Sequence, residues 1–280
     1  MRDDFAALIL THGRPDNVKT FNILKRDGYT GKIYLVVDDE DPMLTQYQDK
    51  YGDKVLVFSK VDIEKTFDLG DNFNERRTVI WARNASFDLA RSIGCRYFVQ
   101  LDDDYYDFLV RRERGLEIQN LDTIFEAMVN FLSIDQITTI AMAQGGDHIG
   151  GFDGRVRLKR KAMNSFFCDV EKPFTFVGRI NEDVNTYVSA GHRGALFFTM
   201  MNVQLDQSDT QSDDGGMSEA YLDQGTYTKS FYSVMYAPSC VKISSMGVNH
   251  RRLHHNINWN AAVPCILNER YKKLAQGDHL

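Results

Sequence analysis

A chain of 280 residues that is 43% hydrophobic and 12% aromatic can bury the core of one large α/β domain, which excludes wholesale disorder. Its formal charge of −6 excludes a polycation built to coat nucleic acid, although a local basic face would suffice for binding one. Cys95, Cys168, Cys240 and Cys265 are far apart and form no CxxC pair, so they read as reduced thiols of a cytoplasmic protein. The apolar run at Phe5–Leu10 is too short for a signal peptide or a membrane span. A soluble protein with no membrane association and no obligate protein partner is expected.

The first hundred residues alternate strand and helix. "FAALIL" (Phe5–Leu10) is predicted as a strand ending in Thr11-His12-Gly13-Arg14-Pro15. "DNVKTFNILKRDG" follows as an amphipathic helix, with Val18, Phe21 and Leu24 at helical spacing and Gly28 as its stop. "KIYLVV" (Lys32–Val37) is the second strand, broken by "DDEDP"; a short helix around Met43–Tyr51 leads to the strand "KVLVF" (Lys54–Phe58). A helix over Glu75–Ile93 ends at Gly94 and feeds the strand "RYFVQL". Near-continuous apolar strands separated by helices predict a parallel sheet with helices on its faces, and ligands then sit beyond the carboxyl ends of the strands. Three such ends carry polar residues, Thr11–Arg14, Asp38–Asp41 and Asp102–Asp104, and are expected to meet in one crevice.

The second half reads as a helix over "NLDTIFEAMVNFLSID", a strand at "TTIAMAQ", a Gly-rich loop "GGDHIGGFDG" and a basic strand "RVRLKRKAMNSFF". Asp206–Thr226 is polar and poor in β-branched residues, which predicts a long loop or lid. "KSFYSVMYAP" reads as a strand, and "HRRLHHNINW" opens a C-terminal tail.

The chemistry centres on "RYFVQLDDDYYDF". Three adjacent carboxylates at the tip of a buried strand repel one another and are costly to desolvate without a cation. On an extended segment Asp102 and Asp104 point to one side and Asp103 to the other. The pair could hold a hard divalent cation, and Asp103 would tolerate change; a solvated turn accounts for the same acids without chemistry.

The stretch "RRTVIWARNASFDLARSIGCRYFVQLDDD" resembles the GT-A glycosyltransferases, in which an Arg-Asn pair opens a helix that ends in Gly and a strand with a D-x-D motif follows. The resemblance implies a nucleotide-sugar enzyme in which Arg83 contacts the nucleotide, Asp102 the ribose or metal, and Asp104 the metal, with Asp103 grouped on the donor side. "THGRP" matches the turn after the first strand that holds base and ribose, which brings in Thr11, Gly13 and Arg14. Asp38 or Asp39 stands where the family places an acid on the uracil ring. The Glu-Asp pair in "VGRINEDVNTYVSAGHRG" resembles the ED motif of inverting members, implying Asp183 as the base on the acceptor hydroxyl and Glu182 as its understudy; the plain alternative is that Asp183 caps a helix. A further metal ligand is often a C-terminal histidine, for which the sequence offers His250, His254 and His255, the last two better placed.

The segments from Asp209 to Ile243 and from His250 to Lys273 look like those of the phage-borne TET-associated glycosyltransferases. That likeness implies an inverting hexosyltransferase using Mn²⁺ or Mg²⁺, a UDP-sugar donor (UDP-glucose, UDP-GlcNAc or UDP-GalNAc) and a hydroxymethylated pyrimidine in DNA as acceptor, working in the host cytoplasm. The implied fold is one GT-A (Rossmann-like) domain over residues 1–280: a mixed, mostly parallel sheet flanked by helices. Residues 1–108 would hold the nucleotide sugar and residues 109–280 the acceptor, with a metal-ligand tail. "RVRLKRK", "VRRERG" and "HRRLHH" could contact phosphates, and Gly145, Gly146, Gly215 and Gly216 could let backbone approach the acceptor. The alternatives are a GT-A enzyme acting on a glycan, lipid carrier or protein, a sugar-nucleotide nucleotidyltransferase, and a non-catalytic binding module.

Overall fold

The computed structural model describes residues 1–73, 75–76, 78–111, 115–118, 120–148, 154–207, 228–247 and 251–264. The strand β1 (Phe5–Leu10) is buried along its whole length, because alternate side chains enter two different cores. Phe5, Ala7 and Ile9 face one core, into which α1 (Lys19–Arg26) sends Phe21 and Leu24. Beyond β2 (Lys32–Asp38), α2 (Leu44–Tyr51) adds Tyr47 to that core. Ala6, Leu8 and Leu10 face the other core. The chain reaches it through β3 (Val55–Phe58), the short α3 (Lys60–Glu64) and α4 (Ile80–Ser92), whose Ile80, Trp81, Ala85 and Phe87 fill it.

The chain continues through β4 (Tyr97–Asp102), β5 (Tyr105–Arg111), β6 (Gly115–Glu117), α5 (Leu121–Leu132) and β7 (Ile137–Gln144). Helix α5 is capped by the Asn120 side chain, which accepts from Thr123 N at 3.1 Å, and it packs Phe125, Met128 and Val129 into the first core. Then come β8 (Val156–Arg157), β9 (Phe166–Asp169), α6 (Glu182–Gly191), β10 (Leu196–Gln207), α7 (residues 228–236), β11 (Val241–Met246), β12 (Arg252–Ile257) and α8 (Trp259–Ala262). The sheet order is β3-β2-β1-β4-β9-β7-β10-β5-β6, with β8 alongside β10; β9, β5 and β8 run against the other strands. This is the expected mixed, mostly parallel sheet flanked by helices. The neighbours of β1 are β2 and β4, both parallel to it, so the carboxyl ends of these three strands adjoin at the point where the strand order reverses.

Several local expectations are corrected. Residues 229–236 are helical, not a strand: Ser230, Ser233 and Ala237 form a buried stripe at helical spacing, and the small serines allow close packing on the loop before α6. The basic segment 155–167 is two short strands separated by irregular chain, and the Gly-rich loop begins as a 3₁₀ turn at Gly145–His148. The start of the expected tail is the strand β12, which pairs antiparallel with β11 before it. Of the predicted lid, Asp206 and Gln207 end β10, and residues 208–226 lie outside the described residues. Among the described residues no helix is long and apolar enough to cross a membrane.

The loop entering α6 is pinned to the loop after α3: Gly178 N donates to Asp68 O at 2.7 Å and Arg179 N to Leu69 O at 2.8 Å. Gly178 has φ +80°, and a Cβ there would collide with the Asn185 amide and the Tyr236 ring. Gly178→Ala is expected to cost about 1–3 kcal/mol, through a left-handed alanine and forced repacking. Urea unfolding of the variant against the parent checks this.

Candidate active site

Asp102 is the last residue of β4, and Asp103 and Asp104 form the turn into β5, so the alternation of an extended strand stops at Asp102. The turn is clasped by α1: Thr20 Oγ1 donates to Asp102 O at 2.6 Å, Thr20 N donates to Asp103 O at 3.1 Å, and Tyr105 N donates to Thr20 Oγ1 at 3.1 Å. Asp103 is 1% exposed. Its carboxylate accepts from Thr11 Oγ1 at 2.6 Å and from Arg14 Nη2 at 2.7 Å. The Tyr47 hydroxyl, 2.8 Å from Thr11 Oγ1, accepts from Arg14 N at 2.8 Å. Since Thr11 spends its proton on Asp103, Tyr47 donates to Thr11. The middle aspartate is therefore the inward anchor between the β1 exit and the D-x-D turn, not the tolerant residue that alternation implied. The Thr11 hydroxyl and the Arg14 guanidinium are likewise committed to Asp103. Burial pushes Asp103 up to about 6, against the pull of Arg14 and Thr11.

Arg83 joins the D-x-D to the Glu-Asp pair. It is 2% exposed, with its guanidinium carbon 5.3 Å from the Phe166 ring centroid and 5.7 Å from that of Phe176. Nη2 donates to Asp102 Oδ1 at 3.2 Å and Nε donates to Glu182 Oε1 at 2.9 Å, while Gln100 Nε2 holds the Arg83 carbonyl at 2.8 Å. Arg83 thus contacts two acids, and its Nη1 is buried with no hydrogen-bond partner. Burial, with Asp104 and Glu182 adding to it, lifts Asp102 to about 6 in spite of Arg83. Burial and the adjacent Asp103 also raise Asp104. Asp104 Oδ1 is buried with no hydrogen-bond partner, an acceptor that a cation would satisfy. Two carboxylates, one with an orphaned oxygen, fit a hard divalent ion such as Mg²⁺ or Mn²⁺.

Glu182 and Asp183 form the first turn of α6 rather than preceding it. Asn181, at φ 57°, occupies the cap, so Asp183 is not the capping residue. Asp183 is 7% exposed; burial raises it, against the Val184 N–H that donates to Oδ1 at 2.7 Å and the positive charges of Arg83, Lys229 and Lys161. A raised carboxylate at a helix start suits general-base work.

At the exits of β1 and β2, Gly13 takes φ +69° and its N–H donates to Asp41 Oδ2 at 2.8 Å. Asp38 is 5% exposed and held by His12 Nδ1 at 2.8 Å and Lys60 Nζ at 3.0 Å. Burial opposes its ionisation, yet these two partners bring it down to about 2. Asp39 is exposed and accepts from Lys60 N at 2.9 Å. Among the described residues, His12, Asp38 and Asp41 form the trio of potential metal ligands whose donor atoms lie within 4.8 Å of one another. Lys60 and the N–H groups of Gly13 and Met43 already satisfy its acids.

Asp102 and Asp104 are not brought into such a trio with His254 or His255. Those two histidines sit on β12 with ring centroids 4.2 Å apart. Burial lowers both, His255 to about 3, so both rings are neutral near pH 7. His255 Nδ1 lies 3.5 Å from Asn181 Nδ2 at the start of α6. Gly146 has open space where a Cβ would stand, and at Gly145 one would meet only ordinary contacts, so packing requires neither glycine. Gly215, Gly216 and His250 lie outside the described residues.

Sequence reasoning missed His12, Asp41, Tyr47 and Lys60. The first two sit inside motifs already singled out, "THGRP" and "DDEDP", whereas Lys60 and Tyr47 carry no signal beyond their types. Asp103→Asn is expected to lower stability by about 1–3 kcal/mol, since the amide cannot accept from both Thr11 and Arg14 as a carboxylate does. Thermal unfolding checks this, and parent-like stability would return Asp103 to a tolerant surface role.

In overall chain course the protein is similar to glucosyl-3-phosphoglycerate synthase from Mycobacterium tuberculosis, solved with Mg²⁺ and UDP: 9% identity, 90% of this chain and 87% of that chain, TM-score 0.48. It is also similar to GalNAc-T7, solved with UDP, GalNAc and Mn²⁺: 12% identity, 75% of this chain and 45% of that chain, TM-score 0.46. No curated protein matches it in sequence. The family model of the TET-associated glycosyltransferases matches residues 5–216, and the chain belongs to that family of glycosyltransferases.

Proposed function

We propose that this glycosyltransferase moves a hexose from a UDP-sugar (UDP-glucose, UDP-GlcNAc or UDP-GalNAc) to the hydroxyl of a 5-hydroxymethylpyrimidine in DNA, with inversion. The observation that carries the reading is the Arg83 bridge: one buried cation holds both Asp102, on the donor side, and Glu182, next to the candidate base. Direct displacement needs a base on one face of the anomeric carbon and charge neutralisation on the other, so the two acidic motifs must be held at a fixed separation. Asp183, raised by burial, would take the proton from the acceptor hydroxyl. Asp102 and Asp104 would hold Mn²⁺ or Mg²⁺, which neutralises the charge of the departing nucleoside diphosphate.

A DNA acceptor is supported by charge at the base as well as by family membership. Lys161 and Lys229 act on both Asp183 and His255, so a net-acidic protein carries cations beside the residue that would meet the acceptor. A polyanionic acceptor is favoured there by phosphate contacts. The cytoplasm is the compartment this chemistry implies.

Incubating the protein with hydroxymethylated DNA, UDP-sugars and Mn²⁺ is expected to add one sugar mass to the modified nucleoside, and none to unmodified DNA. Absence of a shift with every UDP-sugar would overturn the DNA acceptor. Asp183→Asn is expected to lower the turnover number by about 10²–10⁴-fold, and full transfer by that variant would remove Asp183 from the base role. Asp104→Asn is expected to abolish the response to Mn²⁺, read as transfer rate against metal concentration.

A further inference from the structure

The surface shared by α1 and α2 carries charge that the chemistry above does not use. A cleft of about 500 Å³ there is lined by four lysines, Lys19, Lys25, Lys50 and Lys54, against one acid, Asp16. Its floor is aromatic: Phe21 and Tyr51 meet edge to face with ring centroids 5.3 Å apart. Lys25 Nζ stands 4.1 Å from the Phe21 centroid and Lys50 Nζ 5.5 Å from that of Tyr51, so the rings position two ammonium groups without neutralising them. Lys50 Nζ also donates to Pro15 O at 3.0 Å and pairs at 2.9 Å with Asp16, whose side chain is 91% exposed. Among the described residues Lys25 and Lys54 have no carboxylate partner, whereas Lys60 and Lys65 each hold one. Like charges gathered on one cleft repel, so this concentration in a chain of charge −6 works against the fold rather than for it.

The ligand follows from the cations and from where they stand. Ammonium groups are compact point charges suited to phosphate. Lys19 and Lys25 are about 9 Å apart along the axis of α1, the rise of about two to three nucleotides in one strand of a duplex. Cations strung along a helix suit a chain of phosphates rather than a single one. The cleft also has a fixed place relative to the D-x-D turn, because Thr20, beside Lys19, donates to Asp102 O at 2.6 Å. Lys161 and Lys229 lie on the other side, near Asp183 of α6. The crevice between the two cationic sites is acidic and repels a DNA backbone. A duplex must therefore be held by its phosphates outside the crevice while the target base leaves the stack to enter it. Helices α1 and α6 belong to opposite faces of the sheet, so the two sites flank the crevice.

We propose that the lysine cleft binds the phosphate backbone of DNA beside the target nucleotide, through Lys25 and Lys54 directly and through Lys50 once it exchanges Asp16 for a phosphate. The proposal rests on the DNA reading of the function. Asp16 is then a competitor for Lys50, so removing its charge strengthens binding, an effect that loss of folding cannot imitate.

Fluorescence anisotropy of a labelled, unmodified duplex of about 20 base pairs, titrated with protein between about 50 and 200 mM salt, tests this. The double variant Lys25→Gln/Lys54→Gln is expected to reduce the slope of log affinity against log salt by about 2, at about 0.9 per phosphate, and to weaken binding about tenfold or more at about 0.1 M salt. Asp16→Asn is expected to tighten binding about twofold or more. Lys65→Gln, outside the cleft, is expected to keep the parent's slope. Inorganic pyrophosphate at equal phosphate concentration is expected to leave the duplex bound; displacement makes the cleft a site for a small phosphate and overturns the proposal. A double variant with the parent's slope, an Asp16→Asn that binds no tighter, or a Lys65→Gln that loses as much as the double variant also overturns it, and leaves the DNA acceptor standing. A parent that binds no duplex, hydroxymethylated or not, overturns the DNA acceptor and this proposal with it.

Discussion

The site depends on one buried cation. A guanidinium removed from water costs several kcal/mol, and a pair of carboxylates offsets that only with good geometry. Arg83 meets the condition by stacking between Phe166 and Phe176 while Nε and Nη2 take Glu182 and Asp102. Replacing such an arrangement by apolar side chains often leaves a fold no less stable, so stability alone does not account for it. What the bridge supplies is register. Asp102 ends a strand and Glu182 begins a helix 80 residues later in the chain, and among the described residues only Arg83, itself on α4, bonds to both.

Seen from Arg83, the other acids divide by what neutralises them. Asp103 belongs to Arg14 and Thr11, and Asp38 to His12 and Lys60. Asp102 and Glu182 share one positive charge, which is why burial still raises both. Asp104 retains an oxygen with no hydrogen-bond partner, and Asp183 is bonded at the atoms described only by the neighbouring Val184 N–H. The charge left unneutralised thus falls on the two acids to which the proposed mechanism gives chemical roles, one toward a leaving diphosphate and one toward an attacking hydroxyl. An acidic crevice in which every carboxylate had an internal partner would be stable and inert.

Much of this was legible in the sequence, and the rest was not, for identifiable reasons. The parallel strands announce themselves because β1, β2 and β4 are buried on both faces, which removes polar alternation and leaves apolar runs. The helix over residues 228–236 was hidden because its buried stripe is serine, while Tyr232, Val234 and Tyr236 favour strands by type. Strand β12 reads as a polar tail because no residue along it is fully buried. In the D-x-D, residue types were sufficient to find the motif but not to assign roles within it: the assignment assumed extended geometry, and the chain turns at Asp103. Arg83 was visible as half of an Arg-Asn pair. Its partner Glu182 was visible separately, and their contact is a tertiary fact that spacing along the chain does not carry.

The two-core sheet gives the arrangement its final constraint. Residues alternate along β1 between a core filled by α1, α2 and α5 and one filled by α4 and α6. The Asp103 network is built from the first set, through Tyr47 of α2 and Thr20 of α1, whereas the Arg83 bridge is built from the second, through α4 and α6. The donor-side loops and the candidate base therefore ride on helices from opposite faces of the sheet, and the end of β4 joins them through Asp102 and Asp103. Movement of either helical layer relative to the sheet would be felt at Asp102 or Asp103 first. Consecutive aspartates, one tied to each layer, keep the two halves in step, and this accounts for three acids where a metal alone needs two.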